Sequence, residues 1–306
     1  MTQEDRRSGR YLIHAIGTPA LFVLLWSTGF IGARLGLPHA GPLTFLALRY
    51  GLAAALLVLV AIVSRAPWPT RLTDIGHFAV AGLLVHGVYL GGVFLGISMG
   101  VEAGVSALIV GLQPLLTAAF AGILLGERVI PRQWLGLALG LFGGALVLAG
   151  KIGQTPGSLL GSIACVAALV GITAGTLYQK RFCASMDLRT GSVIQFAAAG
   201  VATAPFAFWL EGMQVQWHPE FVFALLWLVV VLSLGAVSLL YLLIRRGGAS
   251  QVASLFFLVP PCTALIAWPL FDETLGPGAL VGMAITAIGV ALASQSAVGK
   301  GKARAD

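Results

Sequence analysis

Apolar residues along this chain neither alternate with polar ones nor gather into one helical stripe. They run on for about 20 residues at a time between short polar or Gly/Pro-rich joints. A run of that length crosses a ~30 Å hydrocarbon core at ~1.5 Å per residue, so the pattern predicts spanning helices and not the alternating ten-residue strands of a β-barrel. Ten spans are expected: Ala15–Leu35, Pro42–Val63, Ile75–Met99, Ala103–Leu125, Arg132–Gly150, Gly157–Gln179, Thr190–Trp209, Glu220–Ile244, Gly248–Leu270 and Gly276–Ser294. The joints carry turn chemistry, as in Leu37-Pro38-His39-Ala40-Gly41 and Gln154-Thr155-Pro156-Gly157, and none has room for a soluble domain. Residues 1–14 and 296–306 read as polar tails.

Composition agrees. The chain is 58% hydrophobic and 9% charged, with a mean hydropathy of +0.96, whereas soluble domains carry about 25% charged residues. Its surroundings are therefore expected to be membrane lipid. Arg6, Arg7 and Arg10 resemble the basic end of a signal peptide, but the following run is too long, so an uncleaved first helix is expected. The net charge of +7 does not point to nucleic acid, because its placement has another explanation. With the N-terminus in the cytoplasm, 15 of the 18 Lys and Arg residues fall on the cytoplasmic side; Arg34 and Lys151 lie outside, and Arg49 lies within a span. That bias orients a protein in the inner (plasma) membrane with both termini cytoplasmic. Cys165, Cys183 and Cys262 form neither a disulfide framework nor a metal spacing. No Walker A motif appears, and no metal or other cofactor is expected.

The chain also repeats itself. At an offset of 146 residues, 15 of the 50 positions from Gly100 to Ala149 are identical, including Pro114 on Pro260, Glu127 on Glu273, Pro131 on Pro277, Gly136 on Gly282 and Gly143 on Gly289. Arg49 aligns with Gln195. Two units of five spans, 15–150 and 151–295, must face opposite ways across the membrane, the inverted repeat of many secondary transporters.

Particular residues sharpen this reading. Trp26-Ser27 lies in the first span, Ala47-Leu48-Arg49-Tyr50 in the second, and Leu125-Gly126-Glu127-Arg128 precedes a Pro-led span carrying Gln133-Trp134-Leu135-Gly136. With these motifs the chain resembles the EamA-type transporters of the drug/metabolite transporter superfamily over about residues 15–295. The resemblance implies ten helices around a central cavity, and export or exchange of amino acids, related metabolites or drugs.

Candidate chemistry is sparse. His86 is a titratable group near mid-membrane, with Tyr89 one turn on; it either serves a substrate or bonds a neighbouring helix. Trp26 is packing or a stacking wall. Gln113, Thr176 and Gln195 complete the candidate binding set. Arg49, about 10 Å deep by helical rise, is expected to be structural, snorkelling or pairing with Glu102, although it could also bind an anionic group. Glu127 and Glu273 are expected to favour the helix starts that follow them. Pro114 and Pro260-Pro261, in equivalent spans, are expected to act as paired hinges. The Gly136-xxx-Gly140-xxx-Gly144 spacing allows close helix contact, within the fold or across a homodimer. None of the 11 acidic residues is deep in a span, and no acid can reach His86 to build a hydrolytic triad, so an enzyme is not expected.

The charge split predicts both ends in the cytoplasm and the Gln154–Pro156 loop outside. Compartment-sensitive reporters fused at those three places test this, and a C-terminal reporter active only on the outer side would exclude ten spans.

Overall fold

Turn residues and prolines set where each apolar run begins and ends as a helix. The computed structural model describes residues 17–101, 103–126, 130–149, 159–246, 252, 254–271 and 276–293. Its helices are α1 (Thr18–Gly36), α2 (Pro42–Val63), α3 (Leu72–Ser98), α4 (Ala103–Val110), α5 (Gln113–Leu125), α6 (Pro131–Ala149), α7 (Leu159–Phe182), α8 (Leu188–Glu211), α9 (Pro219–Arg245), α10 (Val259–Phe271) and α11 (Pro277–Ala293). Six of them, α1, α2, α3, α7, α8 and α9, are long and apolar enough to cross a membrane. The described residues contain no strand, only an isolated bridge between Ala40 and Val215. Pro42, Pro131, Pro219 and Pro277 open their helices, where a missing N–H leaves no bond unmade. Gly126 and Gly212, at φ 69° and 61°, close α5 and α8 in the left-handed conformation that glycine adopts freely. Asp187 caps α8 by accepting from the backbone N–H of Arg189 at 2.9 Å. The Arg189 guanidinium, 2.8 Å from it, holds that carboxyl below its usual range.

The sequence repeat is visible in how the helices pair. α6 packs on α11 and α2 on α8, so each of these helices meets its own repeat mate. In the first pair the glycines cross over. A Cβ on Gly136 would stand 2.6 Å from the Gly289 carbonyl oxygen, and one on Gly143 would stand 2.5 Å from that of Gly282. Gly136 matches Gly282 in the repeat and Gly143 matches Gly289, so the contact is antiparallel and self-complementary. Gly136 and Gly140 of the expected spacing thus make close contacts within the fold, joined by Gly143.

Two further irregularities recur in both halves. Leu83–Leu90 in α3 and Leu228–Ala236 in α9 are π-helical, at positions that the 146-residue offset superimposes to within one residue. The fourth expected span is broken. α4 stops at Val110, Gly111 and Leu112 turn, and α5 restarts with Pro114 in its first turn. Its counterpart has a 3₁₀ turn, Leu255–Leu258, before α10 starts with Pro260 and Pro261. Pro114 therefore begins a helix after a break, whereas Pro260 and Pro261 follow a 3₁₀ turn that runs directly into α10. Glu102, Glu127 and Glu273 lie outside the described residues.

Gly289→Val should force α6 from α11 and destabilise by about 1–3 kcal/mol, read as a lower Tm in detergent. Gly51→Ala, whose Cβ would meet nothing within 4 Å, should be neutral or stabilising by up to about 1 kcal/mol, the helix-propensity gain. Equal Tm values for both variants would show that the glycine seam is not tightly packed.

Candidate functional site

α1, α2, α3 and α9 enclose a cavity near their midpoints. Trp26, Gly29 and Phe30 come from α1, Arg49 from α2, His86, Tyr89 and their apolar neighbours from α3, and Leu232 and Val237 from α9. Its volume is about 30 Å³, room for one or two waters. The π-helical segments place His86 and Tyr89 on one side of this space and Leu232 on another.

Arg49 is buried, 3% exposed. Its Nε donates to Ser233 Oγ at 3.0 Å, and that hydroxyl donates to the Leu228 carbonyl at 2.9 Å. No carboxylate of a described residue lies within ion-pair distance of the guanidinium. An uncompensated charge in such a place is costly, and a ligand of opposite charge offsets that cost.

The imidazole of His86 is fully buried and stacks on Phe196 at 4.1 Å between centroids. Tyr50 donates its hydroxyl to the His86 carbonyl at 2.6 Å, which ties α2 to the π-helical backbone. The Tyr241 hydroxyl donates to Gln195 Oε1 and lies 3.4 Å from His86 Nε2. With its proton committed to Gln195, the Tyr241 oxygen is left to accept from His86 Nε2–H. In that neutral tautomer Nδ1 carries a lone pair, and Nδ1 has no partner. Gln195 is held in turn through its Nε2, which donates to Gln179 Oε1 at 2.9 Å. Trp26 Nε1 donates to the Tyr89 hydroxyl at 3.1 Å, and Trp26 packs edge-on against Phe256 at 5.3 Å. Trp26 is therefore both packing and cavity wall.

Of the residues singled out from sequence, Trp26, His86 and Tyr89 come together on this cavity. Gln195 reaches it through Tyr241. Gln113 and Thr176 bond each other at 3.1 Å, outside the cavity lining. Arg49, expected as a structural charge, stands on the cavity wall beside them. Ser233 and Tyr241 were not singled out; the available signal was a hydroxyl inside an otherwise apolar run. The described acidic residues, Asp74, Asp187, Glu211 and Glu220, all sit at or next to helix ends, as the sequence pattern led us to expect.

Pseudo-symmetry links these contacts. Arg49 and Gln195 are repeat mates, and each reaches toward the π-helical segment of the opposite half: Arg49 to Ser233, and Gln195 through Tyr241 to His86. Gly82, just before the first of those segments, lies so close to α8 that a Cβ there would stand 2.5 Å from the Gln195 Cα.

Similar proteins place this architecture. A solved crystal structure with 19% sequence identity superimposes with a TM-score of 0.76, covering 92% of this chain and 97% of its own, which establishes the shared fold. An uncharacterized transporter of Bacillus subtilis is 27% identical over 89% of both chains. A probable terminal-alkyne amino-acid exporter of Streptantibioticus cattleyicolor is 27% identical over 94% of this chain and 96% of its own. A probable amino-acid metabolite efflux pump of Escherichia coli is 24% identical over 83% and 86% respectively. The model of the EamA-like transporter family matches residues 15–149 and again 159–295, and the chain belongs to that family.

Proposed function

We propose that this transporter exports or exchanges amino acids and related zwitterionic metabolites across the inner membrane by alternating access. In this reading ten spans form two inverted halves with both termini cytoplasmic. The supporting observation is the pair of unmet groups on one cavity: a buried guanidinium without a carboxylate partner among the described residues, and an imidazole nitrogen with an unused lone pair. A substrate carboxylate would satisfy Arg49. A substrate ammonium would donate to His86 Nδ1, and the Tyr89 hydroxyl is within the same wall. The names of the Escherichia coli and Streptantibioticus relatives agree with this chemistry. Export of cationic drugs through the same cavity has less support, because the uncompensated charge of Arg49 would repel them. A cavity of about 30 Å³ is too small for an amino acid, so substrate enters when the halves separate, and the twin interruptions before Pro114 and Pro260 are the proposed hinges.

Counterflow in liposomes with a panel of amino acids tests the class. Arg49→Gln should weaken affinity for a transported amino acid by at least about thirtyfold, as loss of one partner of a buried charged contact costs ~2–5 kcal/mol. The same variant should abolish the preference for the amino acid over its carboxamide. A retained preference would show that Arg49 only holds α2 to α9. His86→Ala should weaken affinity by up to about tenfold, with His86→Gln retaining more because it keeps an acceptor. Wild-type affinity in His86→Ala would remove the histidine from the site.

The hinges have their own test. Pro114→Ala and Pro260→Ala should each slow exchange in protein that remains folded and inserted. Unchanged rates in both would show the breaks to be static.

A further inference from the structure

A second cluster lies far from the cavity, at the end of the bundle where the α1–α2 joint meets the α8–α9 joint. His39 Nε2 is 3.4 Å from Glu220 Oε2, and His218 Nδ1 is 3.8 Å from the same oxygen. The two imidazoles lie side by side, 4.7 Å between centroids and 11° from parallel. All three donor atoms fall within 4.8 Å of one another. We propose that His39, His218 and Glu220 form a divalent transition-metal site, of the kind zinc occupies, that clasps the two halves of the transporter together.

Geometry and donor chemistry carry the inference. Two imidazoles and one carboxylate are a ligand set that zinc accepts, with the fourth position left to water. Bonds of ~2.0–2.1 Å in a tetrahedron space ligand atoms about 3.3 Å apart. The His39–Glu220 edge is already near that length and the His218–Glu220 edge is slightly longer; rotation of partly exposed rings closes the third. The Glu220 backbone N–H donates to His218 Nδ1 at 3.5 Å, the long limit of a hydrogen bond, so Nδ1 is unprotonated there, and an ion takes its lone pair by displacing this weak cap contact.

The backbone holds the donors in place. Gln216 N–H donates to the His39 carbonyl at 2.8 Å, and Ala40 bridges Val215. The Glu211 carboxylate caps α2 by accepting from Leu43 N–H at 3.0 Å and Thr44 N–H at 2.7 Å. A metal would thus find its ligands nearly assembled. Sequence spacing could not reveal them, since His39 and Glu220 are 181 residues apart.

The consequence follows from where the ligands come from. His39 belongs to the first family repeat and His218 and Glu220 to the second. Any state that opens the cavity toward this end must part them, so a bound ion holds this end shut. The charge pattern puts this end outside the cell, where it would sense zinc in the surrounding medium. This locking role rests on the alternating-access reading, whereas the binding does not.

The test is a Zn²⁺ titration by calorimetry of the full chain, purified without a histidine tag, at about pH 7.5, where imidazole ligands are available. We expect one ion per chain and a raised Tm. Affinity should fall at least about tenfold in each of His39→Gln, His218→Asn and Glu220→Gln. His218→Asn keeps an acceptor at the α9 cap, and Glu220 is exposed, so at least these two variants keep the fold. No stoichiometric binding by the wild type, or equal binding by wild type and all three variants, overturns the site. In liposomes, saturating Zn²⁺ should slow exchange of a transported amino acid in the wild type and not in His218→Asn. Exchange that continues unslowed with Zn²⁺ bound would overturn the lock while leaving the site.

Discussion

In a hydrocarbon slab a peptide group has no water to bond, so a spanning segment must satisfy its backbone within itself and any departure from the α-helix needs protein around it. The departures in this chain obey that constraint. Val85, His86 and Tyr89 in the first π-helical segment are buried, as are Leu228, Leu232 and Ser233 in the second. Gly111, Leu255, Phe256 and Phe257, at the two broken spans, face protein as well. Among the described residues, each irregular segment thus turns one face to protein, although Leu83, Val88 and Val230 point outward, and the cavity lies against the buried faces. A π-turn widens the helix and redirects side chains, which is one reason such turns occur at functional sites.

Placing a guanidinium in this region has consequences for its neighbours. Arg49 takes one bond from Ser233 on the far half, and no described acid neutralises it. Around it are rings and hydroxyls: Trp26 bonded to Tyr89, Tyr50 bonded to the backbone of His86, and Tyr241 between His86 and Gln195. Each of these bonds fixes an orientation in low dielectric, where an unmet polar group is expensive. His86 Nδ1 is left over, and the charge and the lone pair together describe a ligand better than they describe a structural network.

The two-repeat architecture explains why the same contacts occur twice in altered form. The glycine seam between α6 and α11 and the pairing of α2 with α8 are self-complementary, as an internal two-fold relation requires. The cavity is served asymmetrically: Arg49 stands on its wall, whereas its repeat mate Gln195 reaches it only through Tyr241. Symmetric packing with asymmetric chemistry suits a carrier whose halves exchange conformations around one binding site.

The helical membrane class, the repeat, the family and the placement of the described acids at helix ends were all legible in the sequence, because each rests on local pattern: run length, charge placement and spacing along one chain. The candidacies of Trp26, His86 and Tyr89 were legible for the same reason, as polar or aromatic groups stranded in apolar runs. For Arg49 the sequence left a structural role and an anion-binding role both open, with the structural one expected; whether a charge 10 Å or so deep is paired is a fact about other helices. Ser233 and Tyr241, the pairing of Gln113 with Thr176, and the meeting of His39 with His218 all join positions far apart in the chain, and only packing decides them. The prolines show the division most plainly. Their equivalent positions mark Pro114 and Pro260 as paired irregularities, but whether the chain breaks before the proline, as at Pro114, or tightens into a 3₁₀ turn, as before Pro260, depends on what surrounds the freed backbone groups, and that is set by the tertiary structure.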